Sequence, residues 1–190
     1  ANRRVFYDCN NTLSSLGYNV RSWVLDSYDY GSYQSRPRLW LVAYRKEFGV
    51  PTPPAPRERA PYLRDVYPDV KYVFFDQFKG KLLHTSRPVP TITKSPSLYF
   101  IEEVFKEPVP AGMRFTHRDR AISLHEIMST GRYIKRRPTI KELLTLSDFD
   151  PSHPFPPSSS YLQIHQRLGN AVLPRQMQVL AEHVISELKK

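Results

Sequence analysis

Asp29-Tyr30-Gly31-Ser32-Tyr33-Gln34-Ser35-Arg36-Pro37-Arg38 runs straight into Leu39-Trp40-Leu41-Val42-Ala43-Tyr44. A glycine-centred turn, an amide and two arginines two apart thus precede an apolar strand. Side chains alternate along an extended chain, so Gln34, Arg36 and Arg38 share one side. Two guanidiniums and an amide on one edge suit a phosphate and a planar polar base. The plainer alternative is two solvated arginines before a strand. Leu39 to Tyr44 does not alternate, which predicts a strand buried on both faces. Upstream, Tyr18 to Leu25 alternates loosely and predicts a second strand. The short connection between the two makes them antiparallel neighbours.

Outward from this pair, residues 1–16 read as a helix closed by Leu13 and Leu16, with Gly17 as its stop. Near Phe48 the composition changes. Pro51, Pro53, Pro54, Pro56 and Pro61, mixed with Arg57 and Arg59, exclude helix and central strand and predict a linker. Val70 to Phe75 and Lys81 to His84 read as strands. Pro88 and Pro90 favour an extended backbone on which Thr91 and Thr93 present hydroxyls to one side. Ser97 is a candidate helix cap, with Leu98, Ile101, Val104 and Phe105 as the buried face. Arg114, His117, Arg118, Arg120, Arg132, Lys135, Arg136 and Arg137 make the next stretch strongly basic. Thr139 and Glu142 form a capping box for a helix carrying Leu143, Leu144 and Leu146. A loop rich in proline and serine follows Phe149. The last helix spans about Pro174 to Leu188, with Met177, Leu180, Ala181, Val184 and Leu188 as a core-packing stripe.

The 190 residues are 40% hydrophobic and 24% charged, the composition of a globular chain able to bury a core. No apolar run approaches membrane-spanning length and no secretory signal opens the sequence, so no membrane role is expected. A formal charge of +10 calls for a polyanionic partner, DNA first, RNA or an anionic membrane next. Cys9 is the only cysteine, which excludes an internal disulfide and a multi-cysteine zinc site. With Asp8 beside it and no local base, it reads as structural rather than nucleophilic. The six histidines are scattered, so no metal site is expected. A reducing compartment, the cytoplasm, fits.

Four separated pieces, in order, resemble the DNA (cytosine-5) methyltransferases. Tyr30-Gly31, Gln34-x-Arg36-x-Arg38 and the strand after them are similar to motif VIII, with Leu16-Gly17-Tyr18-x-Val20 before them. Pro90-Thr91-Ile92-Thr93 resembles the threonine motif of the target-recognition domain. Arg137-Pro138-Thr139-x-x-Glu142, with Leu146 and Phe149, resembles motif IX. Leu168-Gly169-Asn170-Ala171-Val172-x-Pro174 resembles motif X.

The resemblance implies an α/β fold: the C-terminal strands and final helix of a Rossmann-like methyltransferase sheet, plus a small, mixed, strand-rich target-recognition domain. Residues 1–48 would hold the strands of the catalytic domain, 49–161 the small domain, and 162–190 the segment and helix returning to the catalytic domain. It implies that Arg38 contacts a flipped cytosine and stabilises charge on its ring as a cysteine adduct forms, making it and Arg36 the catalytic pair. Arg36 would lie near the DNA backbone, Gln34 would support the same edge, and Thr91 would contact a phosphate. Asn170 and Ala171 would line the S-adenosylmethionine pocket, flanked by Phe149. Arg137 and Glu142 would hold the small domain together.

Departures bear mainly on the cofactor side: His165, Gln166 and Arg167 replace the usual tyrosine and glutamine region, Asp150 a common proline, and Leu173 another. The larger difference is absence. The Phe-x-Gly-x-Gly cofactor loop, the Pro-Cys-Gln nucleophile motif and the Glu-Asn-Val motif do not occur in these residues. The reaction needs a thiolate to add to the ring. The expectation is therefore a DNA-recognition subunit of a split enzyme, inactive alone. Its partners would be double-stranded DNA and a second subunit that carries the missing motifs and shares the S-adenosylmethionine pocket. The setting would be prokaryotic or phage. The alternatives are a catalytically inactive DNA-binding or regulatory homologue and a fragment of a whole enzyme.

Overall fold

The computed structural model describes residues 3–76, 81–104 and 123–189. The basic cluster Arg114 to Arg120 lies outside the described residues. The chain opens with α1 (Arg3–Ser15), which ends where Gly17 turns at φ 86°. β1 (Tyr18–Asp26) follows, then a 3-10 turn, Ser27–Tyr30, closed by Gly31 at φ 86°. β2 (Gln34–Ser35) and β3 (Pro37–Arg45) complete the first region. α1 lies against β1. β1 and β3 form an antiparallel hairpin in which Trp23 opposes Trp40, Val24 opposes Leu39 and Leu25 opposes Arg38.

After a proline-rich strap come α2 (Leu63–Val66), β4 (Val70–Phe75), β5 (Lys81–His84), β6 (Val89–Pro90) and β7 (Leu98–Glu103). α3 (Leu124–Met128), β8 (Tyr133–Arg136) and α4 (Ile140–Leu146) follow, and α5 (Tyr161–Asn170) and α6 (Pro174–Leu188) end the fold. Four strands make one antiparallel sheet, ordered β5-β4-β7-β8. Its two faces are both covered. Val73, Phe75, Leu98 and Phe100 point into a core with Leu143, Leu144, Leu146, Ile164 and Leu168. Tyr72, Phe74 and Ile101 point the other way, onto Ile127 and Leu124.

The helix expected from Ser97 is strand β7 instead. Leu98, Phe100 and Ile101 are buried between two strand neighbours, so both faces of the segment are apolar. That pattern mimics a helical stripe over one turn. α5 was not expected. Its signal was legible: Ser160 and Gln163 make a capping box, and Ile164 and Leu168 sit four apart on its buried side.

β3 is not buried on both faces as its composition predicts; among its residues only Tyr44 is buried, and Leu39 is 55% exposed. Its ladder has one neighbour, β1, and α6 covers only the face bearing Trp23, Leu25 and Trp40. Val24, paired with Leu39 on the opposite face, is 68% exposed. The stripe expected on α6 holds only in part: Leu180 is buried and Ala181 and Val184 are half-buried. The helix buries Gln176, Val179 and Leu180, whereas Met177, Ile185 and Leu188 remain exposed. Cys9 is exposed on α1 and packs into no core.

The linker is not a loose tether. Residues 50–62 carry no regular structure, yet Pro51, Pro54 and Ala60 are buried. Arg57 N–H donates to the Asp29 carbonyl at 2.9 Å, and the Tyr30 hydroxyl donates to that of Pro54 at 3.3 Å. Thr52 and Tyr44 meet Glu187, and Arg57 pairs with Glu182, so the strap is clamped across α6.

Candidate nucleic-acid and cofactor site

Gln34, Arg36 and Arg38 leave the turn together but meet different surroundings. β2 pairs in parallel with β6, placing Gln34 opposite Val89 and Ser35 opposite Pro90. That contact covers Gln34; Arg36, just beyond it, is covered by Ile92 and the end of α5, and Arg38 by neither. Gln34 is fully buried: its amide donates to Leu146 O at 2.7 Å, and its carbonyl accepts from Ile92 N–H at 2.9 Å. Arg36 is 3% exposed and donates to three carbonyls, Ile92 at 2.9 Å, Gly169 at 2.8 Å and Ala171 at 3.1 Å. Burial, with Arg38 adding to it, pulls its pKa down to about 10, so it stays charged at neutral pH.

These two residues therefore act as a hub. They join the turn, the threonine loop, the end of α4 and the end of α5. At 3% exposure, with its guanidinium turned inward onto these carbonyls, Arg36 is not presented to a DNA backbone in this arrangement, which corrects the contact the resemblance implies. Thr91 is corrected too: its hydroxyl donates to Ser35 O at 3.0 Å.

Arg38 is different. It is exposed, and among the described residues its one side-chain hydrogen bond goes to the carbonyl of its own neighbour Pro37. With Leu39, Trp40, Val172, Leu173 and Gln176 it lines a recess of about 200 Å³. The Trp40 Nε1–H at this recess is buried without a hydrogen-bond partner. Gln176 reaches across from α6 to donate to Leu25 O at 3.1 Å and ties the helix to the hairpin.

A second recess, of about 280 Å³, is lined by Phe149, His153, Phe155, Arg167 and Ala171, with Leu168 and two prolines. The structure thus brings Phe149 and Ala171 together, and Asn170 is exposed beside them. Gly169 has a reason of its own. A Cβ there would lie 2.4 Å from Thr93 C and O, so only glycine lets α5 approach the threonine loop this closely.

Two residues near the hub escaped the sequence reading. Asp148 adopts φ 61° at the end of α4, and its fully buried carboxylate accepts from the Ser32 hydroxyl. Arg175 stands 4.0 Å away and donates to Gly31 O at 2.7 Å. Burial, only partly opposed by Ser32 and Arg175, pushes the Asp148 pKa up to about 6. The other is Arg136, which pairs with Glu142 through both terminal nitrogens at 2.9 and 2.8 Å and also with Glu102. The structural pairing with Glu142 expected of Arg137 thus belongs to its neighbour. The signal was spacing: residue 136 is the partner of strand β7, whereas 137 lies beyond the strand's end.

The model of the C-5 cytosine-specific DNA methylases matches residues 1–186. The chain belongs to that family. It is 27% identical over 158 residues to the type II methyltransferase M.MthTI of Methanothermobacter thermautotrophicus, covering 77% of this chain and 43% of that protein. Its fold is similar to the Entamoeba histolytica methyltransferase EhMeth, with TM-score 0.66 at 17% identity over 98% of this chain and 59% of that one. It is also similar to a Spodoptera frugiperda DNMT2 mutant, with TM-score 0.63 at 15% identity, covering 96% and 62%. This family member therefore has a mixed α/β, Rossmann-like architecture and spans less than half the length of that curated relative. No helix among the described residues is long and apolar enough to cross a membrane.

Proposed function

We propose that this chain is the recognition half of a DNA cytosine-5 methyltransferase, which transfers a methyl group from S-adenosylmethionine to cytosine C5 once a second subunit is bound. That subunit would bring the cofactor loop, the cysteine nucleophile and the glutamate. The observation that carries the reading is the isolation of Arg38. Gln34 and Arg36 are consumed in building the platform, while Arg38 stands at its end with donors free beside a recess.

The chemistry assigns it a role. A base must leave the stack to be reached. When the partner's thiolate adds to the ring, negative charge develops there, and a guanidinium carried by a strand that starts at the hub would stabilise that charge. S-adenosylmethionine would supply the methyl group. The recess at Phe149 and Ala171, with the Asn170 amide beside it, has apolar and aromatic walls suited to one side of such a cofactor.

The second subunit is supported by uncovered apolar surface. Val24 and Leu39 form an exposed cross-strand pair on the hairpin, and Met177, Ile185 and Leu188 an exposed side of α6. Open strand edges and exposed apolar faces of this kind need a cover. Co-purification tests the reading: the tagged chain is expected to retain one polypeptide carrying the early motifs. A chain that binds cytosine-containing duplex yet accepts no such polypeptide would instead be a regulatory homologue.

A further inference from the structure

One face of α5 carries Tyr161, His165 and Gly169, four residues apart in turn, and this face holds two exposed cations in place. At its start, the Arg137 guanidinium lies 5.8 Å from the Tyr161 ring centroid and 5.9 Å from that of Tyr99 on β7. At its end, Gly169 packs against the Thr93–Lys94 backbone and fixes the loop that bears Lys94. Between them His165 is 1% exposed and its ring lies against the Lys94 backbone. Burial lowers its pKa, so it is neutral at pH 7 and leaves the two cations as the charge of this face.

The neighbouring cations make Arg137 stand out. Arg132 pairs with Glu103, Lys135 with Asp76, and Arg136 with Glu102 and Glu142. Arg137 has aromatic rings and no acid among the described residues, and Lys94 has neither. A guanidinium laid on rings keeps its edge donors free and loses little freedom on binding an oxyanion. Gly169 and Tyr161 are eight residues apart, a span on the order of 12 Å along a helix. That separates the two cations enough for distinct phosphates.

We infer that Arg137 and Lys94, set on one face of α5, contact two backbone phosphates of duplex DNA outside the Arg38 recess. The inference rests on the DNA-binding reading above. The test is the salt dependence of binding to a cytosine-containing DNA duplex, measured by fluorescence anisotropy in the assembled enzyme. Each lost phosphate contact flattens the slope of log K against log salt by about 0.9. Arg137→Gln and Lys94→Gln are each expected to do so, and the double variant to flatten it by about 1.8. Lys94 is exposed on a loop with no ion pair, so its variant reads binding even if the Arg137 change disturbs the tyrosines. Lys189→Gln, at the end of α6, serves as the control for diffuse charge. An unchanged slope, or an equal loss with Lys189→Gln, overturns this seat and leaves the DNA-binding reading standing. No binding of duplex by the unaltered assembly overturns that reading and the seat with it.

Discussion

The four-stranded sheet and the β1–β3 hairpin meet the same solvent with different completeness. In the sheet, β7 has a strand on either side, and each face packs on its own cluster, so Phe100 and Ile101 are both fully buried. In the hairpin, each strand has one neighbour and one covered face, and the pair Val24 and Leu39 is left in water. The small lobe closes its own core. The hairpin and α6 leave one face of their two-stranded sheet open, and the chain spans 59% of a solved relative of similar fold. On the proposed reading, recognition is built on the closed sheet and catalysis on the open hairpin, which a second subunit would cover.

The sharpest way to probe this division is Arg38→Ala. Loss of one preorganised charge-stabilising donor lowers turnover about 10²–10³-fold. Single-turnover methyl transfer by the assembled enzyme is expected to fall by that order, with DNA affinity changed much less. Equal loss of both would place Arg38 in binding alone.

Stability separates the two regions next. Phe100→Ala is expected to cost about 3–5 kcal/mol in urea unfolding, because it empties a closed core. Leu39→Ser on the open hairpin face is expected to stay within about 0.5 kcal/mol in the chain alone and to weaken capture of the second subunit. A large loss for Leu39→Ser would mean that the face is covered within this chain.

Asp148 lies at the joint between the regions, and its sign can be worked out. Its folded pKa is raised from 3.8 to about 6. Protonation therefore favours the fold. That stability is fully present below about pH 4 and is lost as pH rises through about 6. Asp148→Asn keeps a residue that tolerates positive φ and removes the buried charge. It is expected to raise stability by about 3 kcal/mol at pH 8 and to flatten the decline between pH 4 and 6. An unchanged pH profile would remove Asp148 from the joint. The smallest effect expected is in hydrogen exchange: β1 and β3 amides should exchange faster than those of β4 and β7 in the lone chain.

Much of this was written in local signals. Gly17 and Gly31 stop their elements at φ 86°, and Thr139 with Glu142 caps α4 as the residues dictate. The antiparallel hairpin followed from its short turn. What failed depended on tertiary neighbours. Alternation placed Gln34, Arg36 and Arg38 on one side, but only the β2–β6 contact over Gln34 and the approach of Ile92 and the end of α5 to Arg36 decide that two are buried and one is open. β7 read as a helix because both its faces are covered, and β3 read as buried because its apolar composition suits a sheet wider than the two strands present here. The α6 stripe was visible, but only Leu180 of it is buried, with Gln176 and Val179 beside it, while Met177 and Leu188 face away.

The central claim is that this polypeptide holds a base but cannot attack it. The most direct measurement incubates the purified chain with duplex DNA and S-adenosylmethionine labelled in its methyl group, with and without a subunit bearing the early motifs. The account predicts no label in cytosine for the chain alone and incorporation when both are present. Incorporation by the chain alone would contradict it.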